Sequence, residues 1–383
     1  MNFKLNKDEE KLKRSFRDLC NETIKPAAAD VDRSGTIPDS HWQALAEFGY
    51  LGFGFDESLS GKGASLVLWV NLGEELARSC ASTFASVMAS SNLFGHIIQL
   101  HGTDAQKEKY LPAIAKGELK GAVAITDPKG PPDSEPLETT AERRNGNIVL
   151  NGTKPYVTNG PACDAALVLA ITDPSSDPKG LTLFVVDAGT EGFHKGERVS
   201  TMGIRGCQVG SLKFDNCVID EANIVGEWNG GRKVIDDLTT LRRIWWTVYG
   251  VGVGQACIDE AIAYASVREV DGRRISKHQE VHFKIAEMHM MTDTARQLMY
   301  KAAWLFDTKQ KAAIIAAAAK LLATEMATEC SHKAQQIYGA KGFICGSAVE
   351  RLYRDARLGE IEGETSEVLR VILAKDVLEE FSI

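Results

Sequence analysis

The chemistry that this sequence offers is concentrated near the C-terminus, where Glu362 and Glu364 flank Gly363. A carboxylate becomes an effective general base when burial raises its pKa toward the operating pH. A glycine between two acids also permits the unusual backbone angles that could turn one of them inward. Alternatively, both acids are solvated at the start of the last helix, where negative charge is favourable and Thr365 or Ser366 caps the helix. Both interpretations remain open at this stage.

A second candidate is the pair Arg242 and Arg243, which is followed by Trp245 and Trp246. A guanidinium binds carboxylates and phosphates through a planar fork of donors, so Arg243 is our candidate substrate-binding residue. Two packing tryptophans beside two surface arginines would explain the same residues equally well. The sequence does not decide between a binding role and a structural one.

Composition excludes several classes of protein. The chain has 383 residues and a net charge of −8, without the basic footprint of a nucleic-acid binder. It has no apolar run of about 18 residues and no secretory leader, so we expect no membrane span and a cytoplasmic location. The 8 cysteines form no C-x-x-C pair. His278 and His282 are one helical turn apart without the glutamate of a zinc motif, and we predict no metal site.

The elements that must position these residues fall into three parts. Residues 1–120 show helical periodicity, which predicts an N-terminal helical domain. Residues 121–229 contain short β-branched runs separated by turn dipeptides, which predicts a central β domain. Residues 230–383 return to helix, with four long patterns of the size of a four-helix bundle. The predicted fold class is therefore α+β and mostly helical.

Several segments in this order resemble the acyl-CoA dehydrogenase family along nearly the whole chain. Residues 354–367 are similar to the family's signature, in which R-D-A-R is followed at short spacing by Y-E-G-T-S/N-E. Further matches, in the family's order and near its spacing, lie at residues 104–118, 124–128, 156–160, 202–217 and 336–343. The shared order makes an accidental likeness very improbable.

The resemblance implies FAD bound between the β domain and the C-terminal bundle, in a homotetramer or homodimer. The residues that correspond to contacts of the flavin ring and its ribityl edge are Thr126, Tyr156, Thr158, Thr365 and Glu367. Those that correspond to contacts of the adenosine diphosphate half, partly from a neighbouring subunit, are Arg268, Gln336 and Gly339. Such a site supplies an aromatic or hydroxyl wall for the ring and donors for the phosphates.

The reaction implied is α,β-desaturation of an acyl thioester, carried by CoA or by an acyl-carrier protein. In the family a glutamate removes the α-proton while a hydride leaves Cβ for the flavin, and electrons then pass to an electron-transfer flavoprotein. The family's usual base position falls on Gly363, and its alternative position falls on Arg242. Glu364 and Glu362 are therefore the candidate bases.

Three departures from the family's pattern leave other functions open. Besides the missing base at Gly363, the Gly- and Ser-rich phosphate loop is replaced by residues 129–134, which include Pro131 and Pro132 and so lack two backbone donors. The family's R-x-Q-F-G segment retains only its arginine and glycine at residues 268–272. The alternatives are a lyase-like, non-desaturating thioester reaction and a degenerate, non-catalytic subunit.

Overall fold

The first part of the chain is a set of helices that bury a long uncharged segment. The structure, a computed structural model, describes residue 3 and residues 5–130, 137–176 and 180–381. The helices are α1 (Lys7–Leu19), α2 (Ala28–Ser34), α3 (Asp39–Phe48), α4 (Leu66–Ser79), α5 (Ala81–Val87), α6 (His96–His101) and α7 (Asp104–Ala115). A buried π-helical turn, Met88–Gly95, joins α5 to α6. Such turns are frequent at functional sites, and this one faces the cavity described below.

The middle part is an eight-stranded sheet with the order β6-β7-β3-β2-β4-β5-β8, in which β1 pairs with β4. Its strands are β1 (Gly121–Ala124), β2 (Thr140–Arg144), β3 (Asn147–Thr158), β4 (Ala165–Asp173), β5 (Gly180–Asp187), β6 (Phe193–Arg198), β7 (Val209–Ile219) and β8 (Ile224–Val225). Strand β4 is buried on both faces, because Leu167 and Leu169 pack toward the helices while Val168 and Ala170 pack into a separate core of the sheet. This explains its unbroken apolar sequence.

The last part is a bundle built on one very long helix. Its helices are α8 (Gly231–Val267), α9 (Gln279–Asp307), α10 (Ala313–Tyr338), α11 (Ala348–Ala356) and α12 (Ser366–Phe381). A short hairpin of β9 (Glu269–Val270) and β10 (Arg273–Arg274) joins α8 to α9. Helices α8 and α10 approach closely at Gly250, where a Cβ would lie 2.5 Å from the carbonyl oxygen of Ala323. Close approach of this kind requires glycine.

The predicted fold class is confirmed, since a helical part, a sheet and long helices follow one another along the chain. The sequence missed α11, and its domain boundaries at residues 120 and 229 remain predictions. Within the described ranges, no helix combines the length and the apolar character needed to cross a bilayer.

Candidate active site

One cavity of about 320 Å³ lies where the three parts of the chain meet. The π-helical turn, the sheet, helix α8 and the turn before α12 each contribute a wall. The lining includes Met88, Ala89, Leu93, Val123, Ile125, Thr126, Tyr156, Thr158, Arg242, Trp246, Glu362, Gly363, Glu364, Thr365 and Val368. The structure therefore brings together both predicted acids and four of the residues predicted to contact the flavin.

Glu364 reaches the cavity with both of its carboxylate oxygens already engaged. Arg243 Nε donates to Glu364 Oε2 at 2.7 Å, and Arg243 Nη2 donates to the other oxygen. The side chains are only 9% and 3% exposed, respectively. Arg243 Nη1 also donates to the carbonyl of Ala313 at 3.2 Å. The predicted base and the predicted substrate-binding arginine therefore bind each other. The sequence analysis expected both side chains to be available to a substrate, and the structure shows that neither is.

Glu362 differs from Glu364 in having no side-chain partner among the described residues. It lines the same cavity and is half-buried, and no described residue donates a hydrogen bond to its carboxylate or forms an ion pair with it. Gly363 separates the two acids at a φ of +82°, in the left-handed region that favours glycine. The sequence analysis expected such a glycine to turn one of the two acids inward. The left-handed backbone at Gly363 places the two glutamates in different environments.

Arg242 lies directly opposite Gly363. A Cβ placed on Gly363 would be 3.4 Å from Arg242 Nε and 3.5 Å from Trp246 Cδ1. The two positions where the family resemblance expects a base are thus neighbours in space, and the pair is occupied by a glycine and an arginine. Trp246 is a wall of the cavity, whereas Trp245 packs against Trp69 with ring centroids 5.3 Å apart. Trp246 is also buried and packs against Tyr249 with ring centroids 4.9 Å apart, so the packing interpretation holds for both tryptophans.

Lys320 holds the turn that contains Glu362 and Glu364, and the sequence analysis missed this residue. The side chain is fully buried, and its Nζ donates to the backbone carbonyl of Glu364 at 2.5 Å. Burial lowers the pKa of Lys320 to about 8, and the positive charge of Arg242 acts in the same direction. A lone lysine within the buried alanine-rich face of α10 was the available signal, because a lysine is almost never fully buried without a partner.

A second buried pair, Asp127 and Lys154, holds the sheet side of the cavity and was also missed. Lys154 Nζ lies 2.6 Å from Asp127 Oδ1 and donates to the carbonyl of Ile125 at 2.9 Å, next to the cavity-lining Thr126. Burial lowers the pKa of Lys154 to about 8, although Asp127 opposes the shift. Burial also opposes ionisation of Asp127, but Lys154 and the Thr139 donors outweigh it and hold the pKa of that carboxyl below its ordinary value.

The wall opposite the acids fits a flat ring with polar edges. Tyr156 is 70% exposed although it sits at the cavity, which is unusual for so large an aromatic side chain. Thr126 and Thr158 place hydroxyl groups on the same lining, and Thr365 adds a third from the start of α12, where its Oγ1 accepts from the backbone N–H of Val368 at 3.4 Å. An uncovered aromatic face bordered by hydroxyl groups is what an isoalloxazine ring would occupy.

The other predicted cofactor residues lie outside this cavity. Arg268 caps the end of α8, Gln336 is near the end of α10, and Gly339 follows it with a φ of +58°; all three are exposed. Glu367 is exposed and lines a separate cavity of about 650 Å³ on the other side of Glu364. In the altered phosphate loop, Lys129 pairs with Glu138 at 2.7 Å, whereas Pro131, Pro132 and Ser134 are outside the described residues.

The fold and this wall define a flavin-dependent oxidoreductase. Family models described as the N-terminal, middle and C-terminal domains of acyl-CoA dehydrogenase match residues 6–118, 122–217 and 229–378. The chain therefore belongs to the acyl-CoA dehydrogenase family. The predicted family, oxidoreductase class and FAD cofactor are confirmed.

Similar proteins cover the chain almost from end to end. The short-chain specific acyl-CoA dehydrogenase of Clostridium acetobutylicum is 31% identical over 98% of this chain and 99% of its own length. The 3-(aryl)acrylate reductase of Clostridium sporogenes is 34% identical over 96% and 98%. The structure of butyryl-CoA dehydrogenase from Megasphaera elsdenii superposes with a TM-score of 0.94, at 30% identity and with coverage of 99% and 100%.

Proposed function

We propose that this protein desaturates an acyl thioester between Cα and Cβ, with Glu362 as the base that removes the α-proton. The observation that carries the proposal is the difference between the two cavity acids. Glu362 has no partner among the described residues, whereas both oxygens of Glu364 accept hydrogen bonds from Arg243. A base must have a free lone pair for the proton that it takes, and the carboxylate of Glu362, which lines the cavity, is available to supply one.

The remaining residues of the cavity position the reacting groups. FAD, when bound, supplies the hydride acceptor, and we assign its ring to the wall of Thr126, Tyr156 and Thr158, with Thr365 at its edge. Trp246 and Leu93 contribute apolar surface that excludes water from the reacting carbons.

The 362–364 turn needs support of its own, because a small displacement of a catalytic group costs much of its effect. Arg243 and Lys320 supply it by binding the side chain and the carbonyl of Glu364, respectively. In this proposal Glu364 acts as a positioning residue, and Glu362 alone takes the proton.

The direction of the reaction and the carrier belong to the proposal as well. Relatives carry the names of dehydrogenases and reductases, and a structural neighbour at 28% identity is the prolyl acyl carrier protein oxidase AnaB. We propose the oxidative direction, with CoA or an acyl-carrier protein as the thiol and an electron-transferring flavoprotein as the partner that reoxidises the enzyme. The three exposed residues Arg268, Gln336 and Gly339 would then serve the adenosine diphosphate half of FAD across a homotetramer or homodimer interface.

The test is exchange of the α-proton with solvent deuterium, followed by mass spectrometry on acyl-CoA substrates incubated anaerobically with the holoenzyme. We expect Glu362→Gln to slow exchange by about 10²- to 10⁴-fold, the usual contribution of a positioned base. Glu360→Gln is the matched control, because Glu360 accepts from the Thr328 hydroxyl at 2.5 Å and does not line the cavity. Unchanged exchange in Glu362→Gln would eliminate the assignment.

Non-desaturating thioester chemistry stays a second candidate because of one observation. Gly363 and Arg242 occupy both positions where the family resemblance expects a base, and they face each other. The holoenzyme distinguishes the two candidates: a desaturase loses its flavin absorbance near ~450 nm when a suitable thioester is added without oxygen. A different product without bleaching would favour the second candidate.

A further inference from the structure

The half-buried Arg242 lines the proposed active-site cavity. Its Nε is buried and has no hydrogen-bond partner, and no described residue forms an ion pair with it. Leaving a buried charged donor unsatisfied is costly, which is why such groups are nearly always paired in folded proteins. A buried, unpaired donor in the wall of an active-site cavity indicates a ligand that supplies the missing acceptor.

The charged groups around the 362–364 turn carry a surplus of one positive charge. Besides Arg242 itself, the charged groups acting on the buried Lys320 are Arg243, Glu362 and Glu364. Arg243 and Glu364 neutralise each other in a bidentate pair. Lys320 is satisfied by a backbone carbonyl, and Glu362 offsets only one of the two remaining cations. A ligand with a single negative charge would complete the balance.

There is also room for that ligand beside the guanidinium. Arg242 lines the cavity of about 320 Å³, and the neighbouring Gly363 brings no side chain into that cavity. Trp246 lines the same cavity beside Arg242 and gives it one apolar wall. A planar carboxylate suits the fork of guanidinium donors. A dianionic phosphate fits less well, because its charge would exceed the surplus.

We propose that Arg242 binds a carboxylate carried by the acyl chain of the substrate, so that the substrate is the monothioester of a dicarboxylic acid. This inference rests on the proposed function, since it takes the thioester to be bound in the same cavity. It assigns to Arg242 the recognition role that the sequence suggested for Arg243. A carboxylate beside Arg242 would also lie next to Glu362, close to the reacting carbons.

The test compares binding of two matched series of unreactive CoA thioethers to the holoenzyme by titration calorimetry. One series carries carboxyalkyl groups of increasing length, and the other carries methyl-terminated alkyl groups of the same lengths. The thioethers lack the carbonyl that makes the α-proton acidic, so the titration reports binding alone. We expect the best carboxyalkyl probe to bind about tenfold to a hundredfold more tightly than its alkyl match, the usual range for a hydrogen bond to a charged group.

Variants then test whether Arg242 causes the preference for the carboxyalkyl probe. We expect Arg242→Gln to abolish it by weakening only the carboxyalkyl probe, and Arg242→Lys to restore part of it. Arg232→Gln is the control, because Arg232 lies in the second cavity and is largely exposed; it should leave the preference intact. Circular dichroism checks that each variant is folded, and the comparison of the two series on the wild-type protein does not depend on any variant.

Three results would overturn the inference. The first is equal affinity of the wild-type protein for both series, and the second is a preference that survives in folded Arg242→Gln. In the third, Arg242→Gln weakens both series alike, so that the guanidinium serves the part of the ligand that they share. Failure of the proposed function looks different: no acyl-CoA of either type would bleach the flavin or bind, and this inference would fail with it.

Discussion

Two arginine–glutamate couples lie side by side in this protein, and they have opposite environments. Arg243 and Glu364 form a closed, buried, bidentate pair. Arg242 and Glu362 line the same cavity, and no residue in the described part of the chain forms a hydrogen bond or an ion pair with either side chain. Successive residues of a helix point about 100° apart, so Arg243 turns into the bundle while Arg242 faces the cavity. On the other side, Gly363 reverses the chain between the two acids.

The difference shows that a charged side chain close to an active-site cavity is not always available to bind a ligand or to transfer a proton. Arg243 and Glu364 use their hydrogen bonds to hold the fold together. We therefore expect substitutions in this pair mainly to lower the free energy of unfolding. The open couple contributes little to the fold and is available to a ligand. Measurements of unfolding free energy should therefore distinguish the two couples. They can also contradict the assignment of one couple to the fold and of the other to a ligand.

The largest change in stability is expected from Arg243→Met. Removing one partner of a buried pair leaves an uncompensated charge, which costs about 3–5 kcal/mol of unfolding free energy. The measurement is urea denaturation followed by circular dichroism. The double variant Arg243→Met with Glu364→Leu should recover most of the loss, because it removes both charges together. If the single variant is as stable as the wild type, the pair does not hold the turn.

A smaller effect, dependent on pH, is expected from Asp355, a buried acid without an arginine fork. Its Oδ1 accepts from the backbone N–H of Ile204 at 2.6 Å, and burial raises the pKa of Asp355 from 3.8 to about 6. Because the folded-state pKa is raised, this group's stabilising contribution is complete below about pH 4 and is lost as the pH rises through 6. The difference amounts to about 3 kcal/mol. Asp355→Asn should flatten the dependence of unfolding free energy on pH over this range, and an unchanged slope would refute the assignment.

Gly363→Ala should cost about 1 kcal/mol, because the residue has a φ of +82°. Gly146→Ala is the matched control: its φ is also +82°, and a Cβ there would meet no atom within 4 Å. Thermal unfolding should therefore show similar losses in both variants. Only Gly363→Ala should weaken binding of the CoA thioethers, since its new methyl group enters the space beside Arg242. Equal binding by the two variants would argue against a ligand in that space.

The smallest effect is expected from Glu362→Gln. A half-buried acid without a partner stabilises little, and the unfolding free energy should change by no more than about 0.5 kcal/mol. The same denaturation measurement checks it, alongside Glu364→Gln, for which a clear loss is expected. A large loss in Glu362→Gln would show that this acid has a structural partner and that the two couples are less different than the geometry indicates.

Much of this molecule could be read from the sequence because local patterns determine it. Helical periodicity located α8, α9, α10 and α12 closely, although α10 begins at Ala313 rather than 310. The segments at Thr126, Tyr156 and Thr158 indicated a flavin wall, and the structure brings all three to one cavity. Lys154 and Lys320 were missed, because a buried lysine cannot be distinguished in sequence from a solvated one until its partner is known.

By itself, the sequence determined the order of the elements, the family, and the absence of an acid at positions 363 and 242. Only the tertiary structure decided which glutamate is committed and which is free, and which of two adjacent arginines faces the cavity. The physical reason is that Arg243 and Glu364 are 121 residues apart in the chain and meet only when α8 packs beside the turn before α12. Residue type and spacing determine which interactions a side chain can make. The partner that it meets on folding determines whether it remains available to a ligand.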